Sequence, residues 1–95
     1  MKKEKSIYEQ AIDKWGIDRQ LDIVVEECAE LIQTIQKYRR DPTAFQNIIC
    51  EKVDVDIMMR QLDVVFNKAK EWKDLYDNNE YYKLQRLQKK LDEIK

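Results

Sequence analysis

Four carboxylates in this chain lack the partners that helix-borne acids normally have. An acid on a solvated helix usually meets a Lys or Arg three or four residues away, where side chains share a face. Asp56 does, with Lys52 and Arg60. Glu27 instead has Ile23, Val24, Glu30 and Leu31 at those distances, Glu51 has Asn47, Ile48, Asp54 and Val55, and Asp54 has Cys50, Glu51, Ile57 and Met58. Asp22, Glu26 and Glu30 form a row of like charges, unfavourable by roughly a few tenths of a kcal/mol per pair. An unpaired carboxylate turned into an apolar face must either take up a proton or find a cation. Four together, Glu27, Glu30, Glu51 and Asp54, point to a divalent ion. An all-oxygen donor set selects a hard cation, so Mg²⁺ is the expected cofactor, with Mn²⁺ as a substitute and Ca²⁺ less suited. Such a site is open on one side, and Mg²⁺ completes its shell with waters and phosphate oxygens.

The elements that carry these acids read as helices. Ser6-x-x-Glu9 is a capping box that opens a first helix running to about Trp15, with Gly16 ending it. Asp18 is expected to cap a second helix carrying Leu21, Val24, Cys28, Leu31 and Ile35 to about Arg39. Asp41-Pro42 restarts the chain with a cap and a proline at the first helical position, opening a third helix to about Asn67. The segment 68–76 reads as a short helix or irregular turn, Asp77-Asn78-Asn79 as a break, and Tyr81, Leu84, Leu87, Leu91 and Ile94 as a last helix. The spacing therefore predicts an all-α fold, an antiparallel bundle of about four to five helices in a single domain over residues 1–95. The short connection makes the second and third helices antiparallel neighbours. Around Glu27 the second helix presents Gln20, Ile23, Val24, Glu30, Leu31, Thr34 and Tyr38. Around Glu51 the third presents Asn47, Ile48, Asp54, Val55, Met58 and Leu62. In both, the acids lie inside the inward-facing apolar stripe.

Composition narrows the function classes. The 95 residues include 18 Lys and Arg against 19 Asp and Glu, a net charge of −1, and this gives no basic excess for a nucleic-acid binder. The absence of histidine removes that residue from catalysis and disfavours zinc or copper. Cys28 and Cys50 have no metal-ligand spacing and sit among apolar neighbours, where buried free thiols are expected. No signal peptide or membrane-length apolar run is visible, so a cytoplasmic protein with no membrane partner is the expectation.

Glu26-Glu27-Cys28-Ala29-Glu30, followed at a distance by Glu51-x-x-Asp54, resembles the signature of the MazG-type all-alpha NTP pyrophosphohydrolases, which group with dimeric dUTPases and dCTP pyrophosphatases. The flanks are similar too: Trp15-Gly16, Gln20, Leu31-Ile32-Gln33, Val55-Asp56-Ile57-Met58, Gln61-Leu62, and Tyr82-Lys83-Leu84-Gln85-Arg86-Leu87. The likeness covers Trp15 to Leu91. It implies a MazG-like bundle, Mg²⁺ bound by Glu27, Glu30, Glu51 and Asp54, and cleavage of a nucleoside triphosphate to the monophosphate and pyrophosphate. Many relatives carry a further acid where this chain has Cys50.

Within that reading Glu26 is a candidate outer-shell orienter or base, Lys83 and Arg86 are candidates for phosphate, and Trp15 and Gln20 for stacking on and hydrogen-bonding a nucleobase. The apolar girth of the second helix, with Val25, Cys28, Ala29, Ile32 and Ile35 beside the inward stripe, calls for a homodimer or homotetramer. The competing readings are a helical interaction module without chemistry and a nucleotide-sensing inactive relative.

Overall fold

The structure, a computed structural model, describes residues 4–93. It consists of α1 (Ile7–Trp15), α2 (Ile17–Arg40), a 3-10 turn (Pro42–Ala44), α3 (Phe45–Phe66) and α4 (Trp72–Glu93). The described residues contain no strand, so the fold is all-α with four α-helices. They divide into two compact units, one ending at Val65 and the other beginning at Phe66. No helix among the described residues is long and apolar enough to cross a membrane.

The first unit is built by its caps. Ser6 Oγ accepts from the Glu9 amide at 3.1 Å, and Glu9 Oε1 accepts from the Ser6 amide at 3.3 Å, which completes the capping box. Gly16 then adopts φ 85°, a conformation that a Cβ would strain, and its amide donates to the Ile12 carbonyl at 2.8 Å. This single glycine ends α1 and begins α2. The expected Asp18 cap is therefore not used: α2 already starts at Ile17, and Asp18 falls in the first turn, where its charge meets the positive end of the helix dipole. At the other end Lys37, Arg39 and Arg40 occupy the last turn.

Asp41 caps the next segment as expected, accepting from the Thr43 amide at 3.1 Å and from Thr43 Oγ1 at 2.7 Å. Those two bonds hold its carboxyl below the ordinary aspartate range. The turn that Pro42 opens is 3-10, and the α-helix proper starts at Phe45.

α2 and α3 run antiparallel. Gln61 Nε2, near the end of α3, donates to Gln20 Oε1, near the start of α2, at 2.9 Å. The same nitrogen donates to the Tyr8 carbonyl at 3.0 Å, so one amide ties α1, α2 and α3 together. Arg60 Nε adds a bond to Tyr8 Oη at 2.9 Å. Around this knot lies the enclosed layer of the unit: Met58 at 8% exposure, Gln20 at 4% and Gln61 at 2%. Met58 is the one buried apolar residue among the described residues, so polar bonds carry an unusual share of the packing.

The second unit corrects two expectations. α3 stops at Phe66, and the chain turns through bonds from the Ala69 amide to the Phe66 carbonyl and from the Trp72 amide to the Ala69 carbonyl, both 3.1 Å. Phe66 and Trp72 stack across this turn with centroids 4.9 Å apart. From Trp72 the helix is continuous, so Asp77-Asn78-Asn79 is no break. The turn-forming side chains are satisfied within the helix instead: Lys73 pairs with Asp77 at 2.8 Å, and Asn79 Nδ2 donates back to the Leu75 carbonyl at 2.7 Å. Leu84, Leu87 and Leu91 keep their helical spacing and are exposed, whereas Ile94 lies outside the described residues.

Replacing Gln61 with alanine strands the buried Gln20 Oε1 and the Tyr8 carbonyl without their donor, and is expected to cost about 2–3 kcal/mol in urea unfolding. The exposed Gln46→Ala is expected to stay within about 0.5 kcal/mol. Equal effects of the two substitutions would refute the knot.

Candidate metal centre

Midway along the antiparallel pair the expected acids meet. One carboxylate oxygen from each of Glu27, Glu51 and Asp54 lies within 4.8 Å of the other two, and all three residues are half-buried. Glu30, the fourth expected ligand, sits one turn further along α2 and is exposed. It belongs to the same electrostatic group, because its charge acts on Glu27 and Glu51.

These charges are uncompensated. Glu27 Oε2 and Glu51 Oε2 are buried and have no hydrogen-bond partner. Among the described residues no Lys or Arg pairs with Glu27, Glu30, Glu51 or Asp54; the nearby cations are committed elsewhere, Lys52 to Asp56 at 2.7 Å and Arg19 to Glu26 at 3.3 Å. Burial pushes Glu27 above the ordinary glutamate range, and Glu30, Asp54, Glu51 and Glu26 push it further in that order. Burial also raises Glu51, followed by the charge of Glu30, the hydrogen bond with Glu30, and Asp54. Both groups therefore bind a proton more readily than an ordinary glutamate, and a cation at the cluster would compete with that proton. The donor chemistry fits a hard divalent ion: all ligands are oxygen, each added acid worsens the repulsion without one, and two oxygens are left with free lone pairs.

Glu26 stands beside the cluster, exposed and bonded to Arg19. Trp15 is 57% exposed, with the Lys14 ammonium 5.5 Å from its ring centroid. Gln20 is buried and spends its oxygen on Gln61. Tyr38 and Asn47 lie at the exposed rim of their stripes. Lys83 and Arg86 are exposed on α4, in the second unit. Both cysteines are free thiols, Cys28 half-buried as its neighbours suggest, but Cys50 exposed, against the expectation of a buried thiol.

Gln61 is the residue that sequence reasoning passed over. Its signal was spacing: Gln20 precedes Glu27 by seven residues and Gln61 follows Asp54 by seven, so each helix carries an amide two turns from an acid on one face.

No family model, curated protein or solved structure matches this chain. The site rests on its own geometry.

The raised acids set a pH dependence. A glutamate that binds its proton more tightly in the folded chain than in the unfolded one stabilises the fold below the ordinary glutamate range, and this contribution disappears as pH rises through the raised value. Relative to a Glu27→Gln/Glu51→Gln variant, the metal-free protein is therefore expected to lose melting temperature as pH rises above the ordinary glutamate range, about pH 4. Several millimolar Mg²⁺ should restore it there. A difference between the two proteins that does not change with pH, or no Mg²⁺ effect, would contradict the arrangement.

Proposed function

We propose that this chain is a divalent-metal-dependent nucleoside triphosphate pyrophosphohydrolase of the MazG type, acting on an NTP or dNTP in house-cleaning or nucleotide-pool control. The observation that carries the reading is the convergence of Glu27, Glu51 and Asp54 across two antiparallel helices, with two buried, unpartnered oxygens among them. A purely structural acid cluster would have acquired cations, and the chain places its cations elsewhere.

The reaction consumes water at the α-phosphorus, breaks the bond to the bridging oxygen and releases pyrophosphate with the monophosphate. Glu27, Glu51 and Asp54 would hold Mg²⁺ or Mn²⁺, with Glu30 as the fourth carboxylate one turn along α2. A divalent ion bound there supplies positive charge against the phosphate oxygens and lowers the pKa of a water. With no histidine in the chain, the proton lost by the attacking water passes to a carboxylate or to solvent. Glu26 lies one residue from the centre and is the outer carboxylate of this scheme, its bond to Arg19 fixing it at the edge. Lys83 and Arg86, one turn apart on α4, are the cations this reading assigns to phosphate.

Self-association is part of the same proposal. α3 is apolar on two faces. One carries Met58 toward α2, and the other exposes Ile49 at 57% and Val53 at 49%. An apolar helix face left open to solvent is normally covered, and a second copy of the chain, in a homodimer or homotetramer, would cover this one.

Two outcomes are expected. With Mg²⁺ and a panel of (d)NTPs the protein should release pyrophosphate and nucleoside monophosphate, and Glu51→Gln or Asp54→Asn should lower the rate by about a hundredfold or more while far-UV circular dichroism stays helical. No release from any triphosphate, or wild-type rates in either variant, would overturn the assignment. In sedimentation, Val53→Glu should shift the wild-type oligomer toward monomer, and a wild-type protein that is monomeric throughout would remove the self-association.

A further inference from the structure

Two turns along the helices from the acids, α1, α2 and α3 line a cleft of about 300 Å³, walled by Ile7, Tyr8, Ala11, Gln20, Met58 and Gln61 among others. Its lining contains no charged side chain and offers two amides among apolar groups, the composition of a site for a small, neutral, largely flat molecule.

The Gln61 amide has a fixed orientation. Its Nε2 is shared between the Tyr8 carbonyl and Gln20 Oε1, and because a carbonyl oxygen only accepts, the nitrogen has to face Tyr8. The oxygen is left over. Gln61 is 2% exposed, and its Oε1 is buried with no partner. A buried acceptor that the fold itself leaves unsatisfied is unfavourable until a donor arrives.

Position completes the case. The amide layer, Gln20 and Gln61, and the acid layer, Glu27 and Asp54, lie between the same two helices. Gln20 and Glu27 are seven residues apart on α2, as Asp54 and Gln61 are on α3, which at 1.5 Å per residue sets the layers about 10 Å apart. The distance from a nucleobase across its sugar to the first phosphates is of that order.

We infer that this cleft is the subsite for the base of the nucleotide, with Gln61 Oε1 as the specificity-determining acceptor for an N–H on the edge of the ring. The inference rests on the hydrolase reading above and narrows it. The site selects for a ring that presents a donor, and a base of the same shape without that donor leaves Gln61 Oε1 unpaired in the complex.

The test compares ring pairs on the unaltered protein with Mg²⁺: ATP against purine riboside triphosphate, CTP against the 2-pyrimidinone riboside triphosphate, and UTP against its N3-methyl derivative. For the base that is used best, the analogue without the donor should lose about tenfold or more in kcat/KM. In Gln61→Leu that difference should collapse, and if this variant fails to fold, the ligand comparison on the wild type still decides. Equal kcat/KM within all three pairs overturns the inference while leaving the hydrolase reading standing. A second readout is independent of turnover: the methyl NMR signal of Met58 in metal-free protein titrated with the corresponding nucleosides. A Met58 shift seen with the donor-bearing nucleosides and absent with their analogues supports the subsite even if no triphosphate is hydrolysed. Identical responses to both members of each pair contradict it.

Discussion

Mutual repulsion among Glu27, Glu30, Glu51 and Asp54 is the constraint that organises the first unit. The fold brings one oxygen from each of three acids within 4.8 Å of the others and half-buries them, with no lysine or arginine among the described residues to offset them. Isolated from a cation, such a cluster opposes the packing of α2 on α3 and raises the proton affinity of Glu27 and Glu51 above that of an ordinary glutamate. Three features hold the helices together against that repulsion: the one-residue link at Gly16, the enclosed Met58, and the amide of Gln61 reaching α1 and α2 at once. A site that works against its own scaffold is expected where ligand binding supplies the missing favourable interaction.

The same balance explains why the unit's interior is polar. With one buried apolar residue among the described residues, the unit does not rest on a large hydrophobic core. Its interior bonds are directional, and they fix the register of α3 against α2: a slip of one residue would rotate Gln61 off Gln20 and Asp54 off Glu27 together. Register and site geometry are thus a single property of the pair. The apolar residues that a larger core would use remain outside, on the second face of α3 and along α4.

Much of this arrangement was legible in the residues. The capping box at Ser6 and Glu9, the stop at Gly16 and the restart at Asp41 all appear where local chemistry puts them, because each depends on groups within three or four residues. The acids were legible for a different reason: the missing basic neighbour of Glu27, Glu51 and Asp54 is a property of helical spacing alone. Glu30 was placed with them and lies at their margin, since it sits at the edge of the stripe and not at its centre. Asp18 was misread as a cap because the positive φ of Gly16 shortens the link between helices, a geometric fact that residue type only hints at. Asp77-Asn78-Asn79 was misread as a break because turn propensity yielded to bonds those residues make inside α4. Gln61 escaped notice because its partners, Tyr8 and Gln20, are distant in sequence and come together only through packing.

The central claim is that the acid cluster exists to hold a divalent ion, and direct titration with Mn²⁺ tests it most simply. Electron paramagnetic resonance of free Mn²⁺ should show one saturable site per chain in the wild-type protein, displaced by Mg²⁺ and lost in a Glu27→Gln/Asp54→Asn variant that remains helical. Mn²⁺ that stays free at millimolar protein concentration, or that binds the variant as well as the wild type, would contradict the account.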